Sequence, residues 1–216
     1  MKKFLAASAL ALAGFSGQAH AADAPVLAPD EWFLKVGVSG VIFDSSLSST
    51  NQTRLISGAS VTNNITGTIE AGRYLTDGFA IAVAAGIPPT NDLHATILGT
   101  DTLIGSATYG SLMALAQYHF NRGGQISPYL GAGIAYNVTF ATSPNFPVTS
   151  LSIDNGFAPV LQAGVDFKVA DHISLFADVK KEFYTAHAST IGGLPPTSNY
   201  VRLDPWIVTA GVGFSF

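Results

Sequence analysis

The chain has 216 residues, of which 48% are hydrophobic and only 11% are charged. A soluble domain usually carries about 25% charged residues, so the composition argues against an ordinary soluble protein. The formal net charge of −4 argues against nucleic acid as a partner, and the absence of cysteine excludes stabilisation by disulfides.

The first 21 residues have the pattern of a secretory signal peptide. Two lysines near the N-terminus form a short positive region, residues 4–15 are apolar, and an Ala-His-Ala triplet ends at Ala21. The apolar run is too short to cross a membrane as a helix. We therefore predict a signal peptide over residues 1–21 and one mature domain over residues 22–216, with 8 basic and 14 acidic residues.

Eight segments of the mature chain alternate with the period of two that is typical of β-strands. The predicted strands cover residues 32–43, 64–75, 79–87, 108–120, 128–140, 156–169, 173–187 and 206–216. Short turns and long polar loops alternate between them. After the signal, no apolar run reaches the roughly 18 residues that a membrane helix needs. These features predict an all-β fold, an eight-stranded antiparallel up-and-down barrel in the bacterial outer membrane, with short periplasmic turns and four longer extracellular loops.

The C-terminal strand is the clearest of the eight. From Trp206 to Phe216 an apolar face with aromatic residues near both ends alternates with a face of small, mostly polar residues. Its height of about 20 Å approaches the apolar band of a membrane barrel. We predict the following membrane-interface aromatics: Trp32, Phe79, Tyr118, Phe120, Trp206, Phe214 and Phe216. The aromatic C-terminal residue resembles the signal read by the barrel-assembly machinery, so this machinery and outer-membrane lipid are the predicted partners of the chain.

Several motifs of the chain are distinctive, namely PYLGAGIAY at residues 128–136, QAGVD at 162–166 and VRLDPW at 201–206, followed by the terminal aromatic strand. Together they resemble the outer-membrane protein W (OmpW) family. The resemblance covers nearly the whole mature chain. It implies an eight-stranded barrel with an apolar funnel that opens outward, and relatives in this family help bacteria to take up alkanes. The chain departs from the family before the fourth strand, where Tyr109-Gly110-Ser111 stands near the usual Leu-Pro-Pro-Thr.

The inward-facing residues predict two zones in the lumen. Towards the periplasm, charges of both signs predict a polar plug formed by Lys35, Glu70, Gln117, Asp166, Asp178, Lys180 and Glu182, with His119 and Gln162 also inward. Such charges satisfy one another and block a water-filled pore. Towards the outside, the predicted lining of an apolar ligand funnel is Val41, Phe43, Leu55, Met113, Leu115, Val160, Phe176 and Tyr184. The alternative, that these side chains only pack the barrel, stays open.

The functional prediction is a passive channel for small hydrophobic molecules, which enter the funnel and leave sideways into the membrane. Small inward residues on the third strand, from Ala80 to Gly86, make its wall the predicted exit. The alternative is a structural or adhesive barrel with a packed lumen and loops that bind a partner. A barrel enzyme acting on lipid has little support, because His94 and His187 are isolated loop residues. We predict no cofactor, no metal site and a monomer.

Overall fold

The computed structural model of the protein describes residues 32–50, 56–146, 148–192 and 194–216. The predicted signal peptide lies outside the described residues. Within these ranges the chain is dominated by β-strands, and no helix there is long and apolar enough to cross a membrane.

Strands account for most of the described chain. In chain order they are β1 (Trp32–Ile42), β2 (Ser46–Thr50), β3 (Ile56–Val61), β4 (Asn64–Tyr74), β5 (Phe79–Gly86), β6 (Thr90–Ile97), β7 (Thr100–His119), β8 (Ile126–Pro144), β9 (Ser150–Ile153), β10 (Gly156–Ala170), β11 (Ile173–Glu182), β12 (Thr185–Gly192), β13 (Leu194–Arg202) and β14 (Trp206–Ser215).

Eight of these strands close into a ring in which every neighbouring pair is antiparallel. The order is β1, β4, β5, β7, β8, β10, β11 and β14, and β14 returns to β1. The closing pair runs from Phe33 opposite Ser215 to Ile42 opposite Trp206. Closure removes the free edges that an open sheet would present to lipid. The predicted eight-stranded barrel is therefore confirmed.

The long loops contain more strand than the sequence analysis predicted. On one side, β3 and β6 extend the barrel sheet against β7, which begins at Thr100, eight residues before the predicted start. On the other side, β2, β13, β12 and β9 form a separate four-stranded sheet. The predicted seventh strand is interrupted after Glu182, because the chain there leaves β14 and pairs with β13 instead.

The outer face of the barrel is apolar and rimmed by aromatic rings. All seven predicted interface aromatics point outward, with between 38% and 69% of their surface exposed. Six lie at the end with the short turns, and only Trp206 lies at the end with the long loops. The second rim at that end is completed by outward rings that the sequence analysis did not single out, namely Tyr136, Phe140, Phe157 and Phe183.

Three inward aromatic rings each lie over a glycine directly across the neighbouring strand. The pairs are Phe33 with Gly72, Tyr129 with Gly164, and Phe176 with Gly211. A Cβ atom on Gly211 would lie 2.8 Å from the Phe176 ring, which is closer than van der Waals contact. Glycine at these positions therefore provides the space in which the rings lie flat against the wall.

Filling one of these spaces is expected to destabilise the barrel. In Gly164→Val the new side chain would collide with the Tyr129 ring and with Cβ of Asp178, 2.7 Å from the Cβ position. We expect the free energy of unfolding to fall by about 1–3 kcal/mol, as for other overpacked cores. Urea unfolding in detergent micelles measures it. The control is Gly40→Val on β1, where nothing lies within 4 Å of the Cβ position. Equal stability of the two variants would contradict the prediction.

Candidate functional site

The lower part of the lumen is closed by a cluster around Lys35. Its Nζ lies 2.7 Å from Oδ1 of Asp166 and 4.0 Å from the centre of the Tyr129 ring. His119 stacks on the same ring at 4.6 Å and lies 3.4 Å from Asp166. The ammonium group is thus surrounded by one carboxylate and aromatic faces, both of which stabilise a buried cation.

A second cluster lies directly above the first and is centred on Lys180. Its Nζ donates to Asp178 at 2.8 Å and lies 3.2 Å from Glu70. Gln117 donates to Glu70 at 2.8 Å, and Gln162 bridges Glu70 and Asp178 at 3.2 and 3.1 Å. All five side chains are buried. Because these charges are paired and hydrogen-bonded, they are stable while buried inside the barrel.

Together the two clusters form the luminal plug, which joins six of the eight barrel strands. The residues that were predicted for it and lie in it are Lys35, Glu70, Gln117, Asp166, Asp178 and Lys180. Tyr129, which donates to Asp178 at 3.1 Å, was not predicted. Tyr129 has the same parity as the other inward positions of β8, so the alternation rule could have found it.

Glu182 was predicted to belong to the plug, and this is wrong. Its carboxylate accepts hydrogen bonds from Ser111 at 3.0 Å and from Asn137 at 3.1 Å instead. Lys180, two residues earlier on the same face, turns to Asp178 and Glu70. Strands in a barrel are tilted, so successive inward residues of one strand face different neighbours across the lumen.

Above the plug lies a cavity with a volume of about 70 Å³, which we call the upper cavity. One ordered water needs about 10–15 Å³, so the space exceeds that of a single water. Its floor is formed by Lys35, Glu70 and Lys180, and its apolar walls include Val41, Met113, Phe176, Tyr109 and Ile207. Three of these wall residues were predicted for the funnel, whereas Tyr109 and Ile207 were not.

The other predicted funnel residues lie elsewhere. Leu115, Val160 and Tyr184 are buried in the apolar core of the barrel and do not line the upper cavity. Phe43 is half-buried and packs on Tyr109, with ring centres 5.8 Å apart. Leu55 lies outside the described residues.

Phe176 does line the upper cavity, but not at the predicted height. It was expected near the outer end, whereas its ring centre lies 5.4 Å from Nζ of Lys35, beside the plug. Phe176 is the fourth residue of β11, and β11 begins at the short turn after β10. Its position in the strand therefore places it low in the barrel.

The extracellular strands enclose a second cavity of about 90 Å³ between the two loop sheets. Its lining is almost entirely apolar and includes Val61, Leu93, Val148, Leu151 and Leu203. Val61 and Leu93 belong to one sheet and Leu151 to the other, so the segments beyond the membrane form an apolar vestibule over the barrel. The free energy of an apolar molecule falls when it moves from water into such a space.

The barrel wall is interrupted beside the upper cavity. The last residue pair between β5 and β7 is Ala85 with Leu112. The next backbone contact between the two segments is the hydrogen bond that Tyr109 N–H donates to the Pro89 carbonyl at 3.3 Å, beside the pair of Thr90 with Thr108. Pro88 and Pro89 fall in this gap, and proline has no N–H to donate to a sheet.

Side chains from both faces of the wall meet at this interruption. Ile69, Ala85 and Ile87 belong to the outward face, and Ile87 is 71% exposed, yet all three line the upper cavity. Gly110 of β7 forms the opposite rim. The cavity therefore reaches the lipid-facing surface at this lateral opening, beside Tyr109-Gly110-Ser111 of β7.

A closed eight-stranded barrel with an apolar outer band, two aromatic rims and a lumen that contains ion-paired side chains defines an integral β-barrel of the bacterial outer membrane. The OmpW family model matches residues 28–216, and the chain belongs to that family. The predicted resemblance and the predicted location are thus confirmed.

Two relatives and one solved structure illustrate the similarity. An uncharacterised outer-membrane protein, y4mB, of Sinorhizobium fredii is 29% identical over 97% of this chain and 95% of its own. The dibenzothiophene metabolism operon protein PahQ of Pseudomonas aeruginosa is 26% identical, over 86% and 88%. The crystal structure of OprG from Pseudomonas aeruginosa superposes with a TM-score of 0.80 at 20% identity, over 87% of this chain and 96% of that one, which supports the fold.

Proposed function

We propose that the protein is a passive channel that carries small hydrophobic molecules from the cell surface into the outer membrane. The observation that carries this proposal is the upper cavity, which is closed below by charged residues and open sideways to the lipid-facing surface. A channel for hydrated solutes would need an open polar path along the barrel axis. The plug lies across that axis, and the proposed path instead turns sideways through the wall.

The proposed route has three steps. An apolar molecule first leaves water for the vestibule between the loop sheets. It then moves past Tyr184 and Phe43 into the upper cavity, where Met113 and Val41 provide apolar contacts. The ion pairs of the plug make further descent costly, because an apolar molecule cannot replace the hydrogen bonds that it would break. Exit through the lateral opening into lipid is then the favourable step, and it requires no energy source.

The relatives support the chemical class of the cargo. The name of PahQ connects that protein with an operon for the metabolism of dibenzothiophene, an apolar aromatic compound. Uptake of such compounds requires a path across the polar outer surface of the cell. We propose that the present chain likewise takes up apolar compounds.

A charge in the upper cavity is expected to stop transport without unfolding the barrel. Met113 is 5% exposed and lines the cavity, so Met113→Asp places a carboxylate on the path. We expect uptake of a labelled medium-chain alkane to fall by roughly tenfold or more, since an unpaired buried polar group costs at least about 2 kcal/mol. Phe43→Asp, at the entrance, is expected to act in the same direction.

Cells with the wild-type protein, with each variant and with no protein are compared. Met113→Leu, which keeps the volume and the apolar surface, is the matched control and is expected to transport normally. The shift between heated and unheated samples on a gel shows that each barrel is folded. Unchanged uptake in both Asp variants would refute the channel.

The structural or adhesive alternative rests on a different observation. The loop sheet of β2, β13, β12 and β9 stands beyond the membrane, and β2 and β9 are its edge strands within the described chain. Such edges can pair with a strand of another protein. Equal alkane uptake with and without the folded barrel would favour this alternative.

A further inference from the structure

One buried carboxylate in the wall of the upper cavity lies outside the plug. Glu182 ends β11, is 1% exposed and lines the cavity together with Ser111. Among the ion pairs of the described chain, none involves Glu182, whereas Asp166 pairs with Lys35 and Asp178 pairs with Lys180. A buried ionised carboxylate is costly unless an opposite charge or sufficient hydrogen-bond donors face it.

The hydrogen bonds of Glu182 leave acceptor capacity unused. Ser111 Oγ lies 3.0 Å from Oε1 of Glu182 and 2.7 Å from Oδ1 of Asn137. A hydroxyl group has one proton, so Ser111 can donate to only one of these two acceptors at a time. Asn137 Nδ2 donates to Oε2 of Glu182 at 3.1 Å. An additional donor entering the cavity would therefore find an acceptor at Oε1.

The charge of the surrounding lumen also favours a hydrogen-bond donor over an anion. The lumen contains two buried lysines, Lys35 and Lys180, but four inward carboxylates. Those carboxylates are Glu70, Asp166, Asp178 and Glu182. An incoming carboxylate would meet repulsion from Glu182, whereas a hydroxyl or ammonium group would be attracted.

Resting on the channel function proposed above, we propose that the upper cavity selects apolar molecules that carry one hydrogen-bond-donating head group, an alcohol or a protonated amine. The head group donates to Glu182. The apolar tail contacts Met113, Ile207 and Val41 and reaches the lateral opening beside Ile87. Plain hydrocarbons use the same path with less retention, and fatty acids are disfavoured by the unpaired carboxylate.

The test compares initial uptake of labelled octane, 1-octanol, octylamine and octanoate by cells, at concentrations that do not lyse them. Rates from cells without the protein are subtracted, because alcohols and amines also cross lipid unaided. We expect protein-dependent uptake of octanol and octylamine to exceed that of octane, and octanoate to be slowest. In Glu182→Gln the octylamine-to-octane ratio is expected to fall about tenfold, the effect of losing a charge-assisted hydrogen bond.

The matched control is Asp171→Asn, which removes one carboxylate at an exposed periplasmic turn and is expected to leave every ratio unchanged. If Glu182→Gln does not fold, Ser111→Ala takes its place. That variant keeps the carboxylate but removes one of its donors, so the octylamine-to-octane ratio is expected to rise.

The two proposals fail in different ways. Octane uptake that does not depend on the protein would overturn the channel function itself. Protein-dependent octane uptake with an octylamine-to-octane ratio that is the same in wild type and Glu182→Gln would overturn only the role of Glu182. An octylamine-to-octane ratio that stays the same or falls in Ser111→Ala would also overturn the role of Glu182.

Discussion

Closing the lateral opening with Gly110→Phe is expected to reduce alkane uptake to the rate of cells that lack the protein. Gly110 forms one rim of the opening, and a Cβ atom there would lie 3.1 Å from Pro88 and 3.4 Å from Phe140. An aromatic ring at this position occupies the gap between β5 and β7. Since the plug closes the lumen below, no second exit remains on the proposed route.

The control for this variant is Ala116→Phe. Ala116 lies on the same strand and also faces outward, but it is opposite Ile81, where β5 and β7 are regularly paired. Initial uptake of labelled alkane is measured for both variants in cells with equal amounts of folded barrel. Equal uptake by Gly110→Phe and Ala116→Phe would show that the gap at Pro88 and Pro89 is not the exit, and would leave the axial route to be tested.

Removing the central cation of the plug is expected to cause the largest loss of stability. In Lys180→Met, Glu70 and Asp178 lose their shared partner while both stay buried. Breaking a buried ion pair by removing one partner typically costs about 3–5 kcal/mol. We expect unfolding at a lower urea concentration, followed by the fluorescence of Trp32 and Trp206, which both face the membrane.

The control is Lys168→Met on β10. Lys168 also pairs with an aspartate, at 3.5 Å, but both of these side chains are largely exposed. Surface pairs contribute at most about 1 kcal/mol, so its midpoint is expected to change little. If Lys180→Met were as stable as Lys168→Met, the plug would not be a main source of barrel stability.

Residue alternation was sufficient to predict the eight barrel strands and the inward position of most plug residues. A period of two assigns each side chain to one face of the strand. This rule alone assigns Lys35, Glu70 and Asp166 to the inward face and their apolar neighbours to the outward face. It could not predict which inward residues meet. Glu182 has the same parity as Lys180 but bonds to Ser111 and Asn137, because contacts across the lumen depend on strand tilt and stagger.

The lateral opening and the vestibule were harder to predict for another reason. Pro88-Pro89 correctly marked the end of a strand, but the consequence depends on what lies beside that end. The opposite segment, Tyr109-Gly110-Ser111, lies about 20 residues further along the chain, and only the pairing register brings the two together. The vestibule strands are rich in Ser, Thr and Gly, a composition that also fits irregular loops.

The plug also has a consequence for the order of events during assembly. Lys35 and Asp166 are 131 positions apart, and Gln162 and Glu70 are 92 positions apart. These partners lie on strands that are not neighbours in the sheet, so they meet only after the sheet has curled round and β14 has joined β1. Until then their charges stay hydrated, and the nascent interior is wet. We therefore expect water to leave the interior only when the seam between β14 and β1 closes, so that both events fall in one late step of folding.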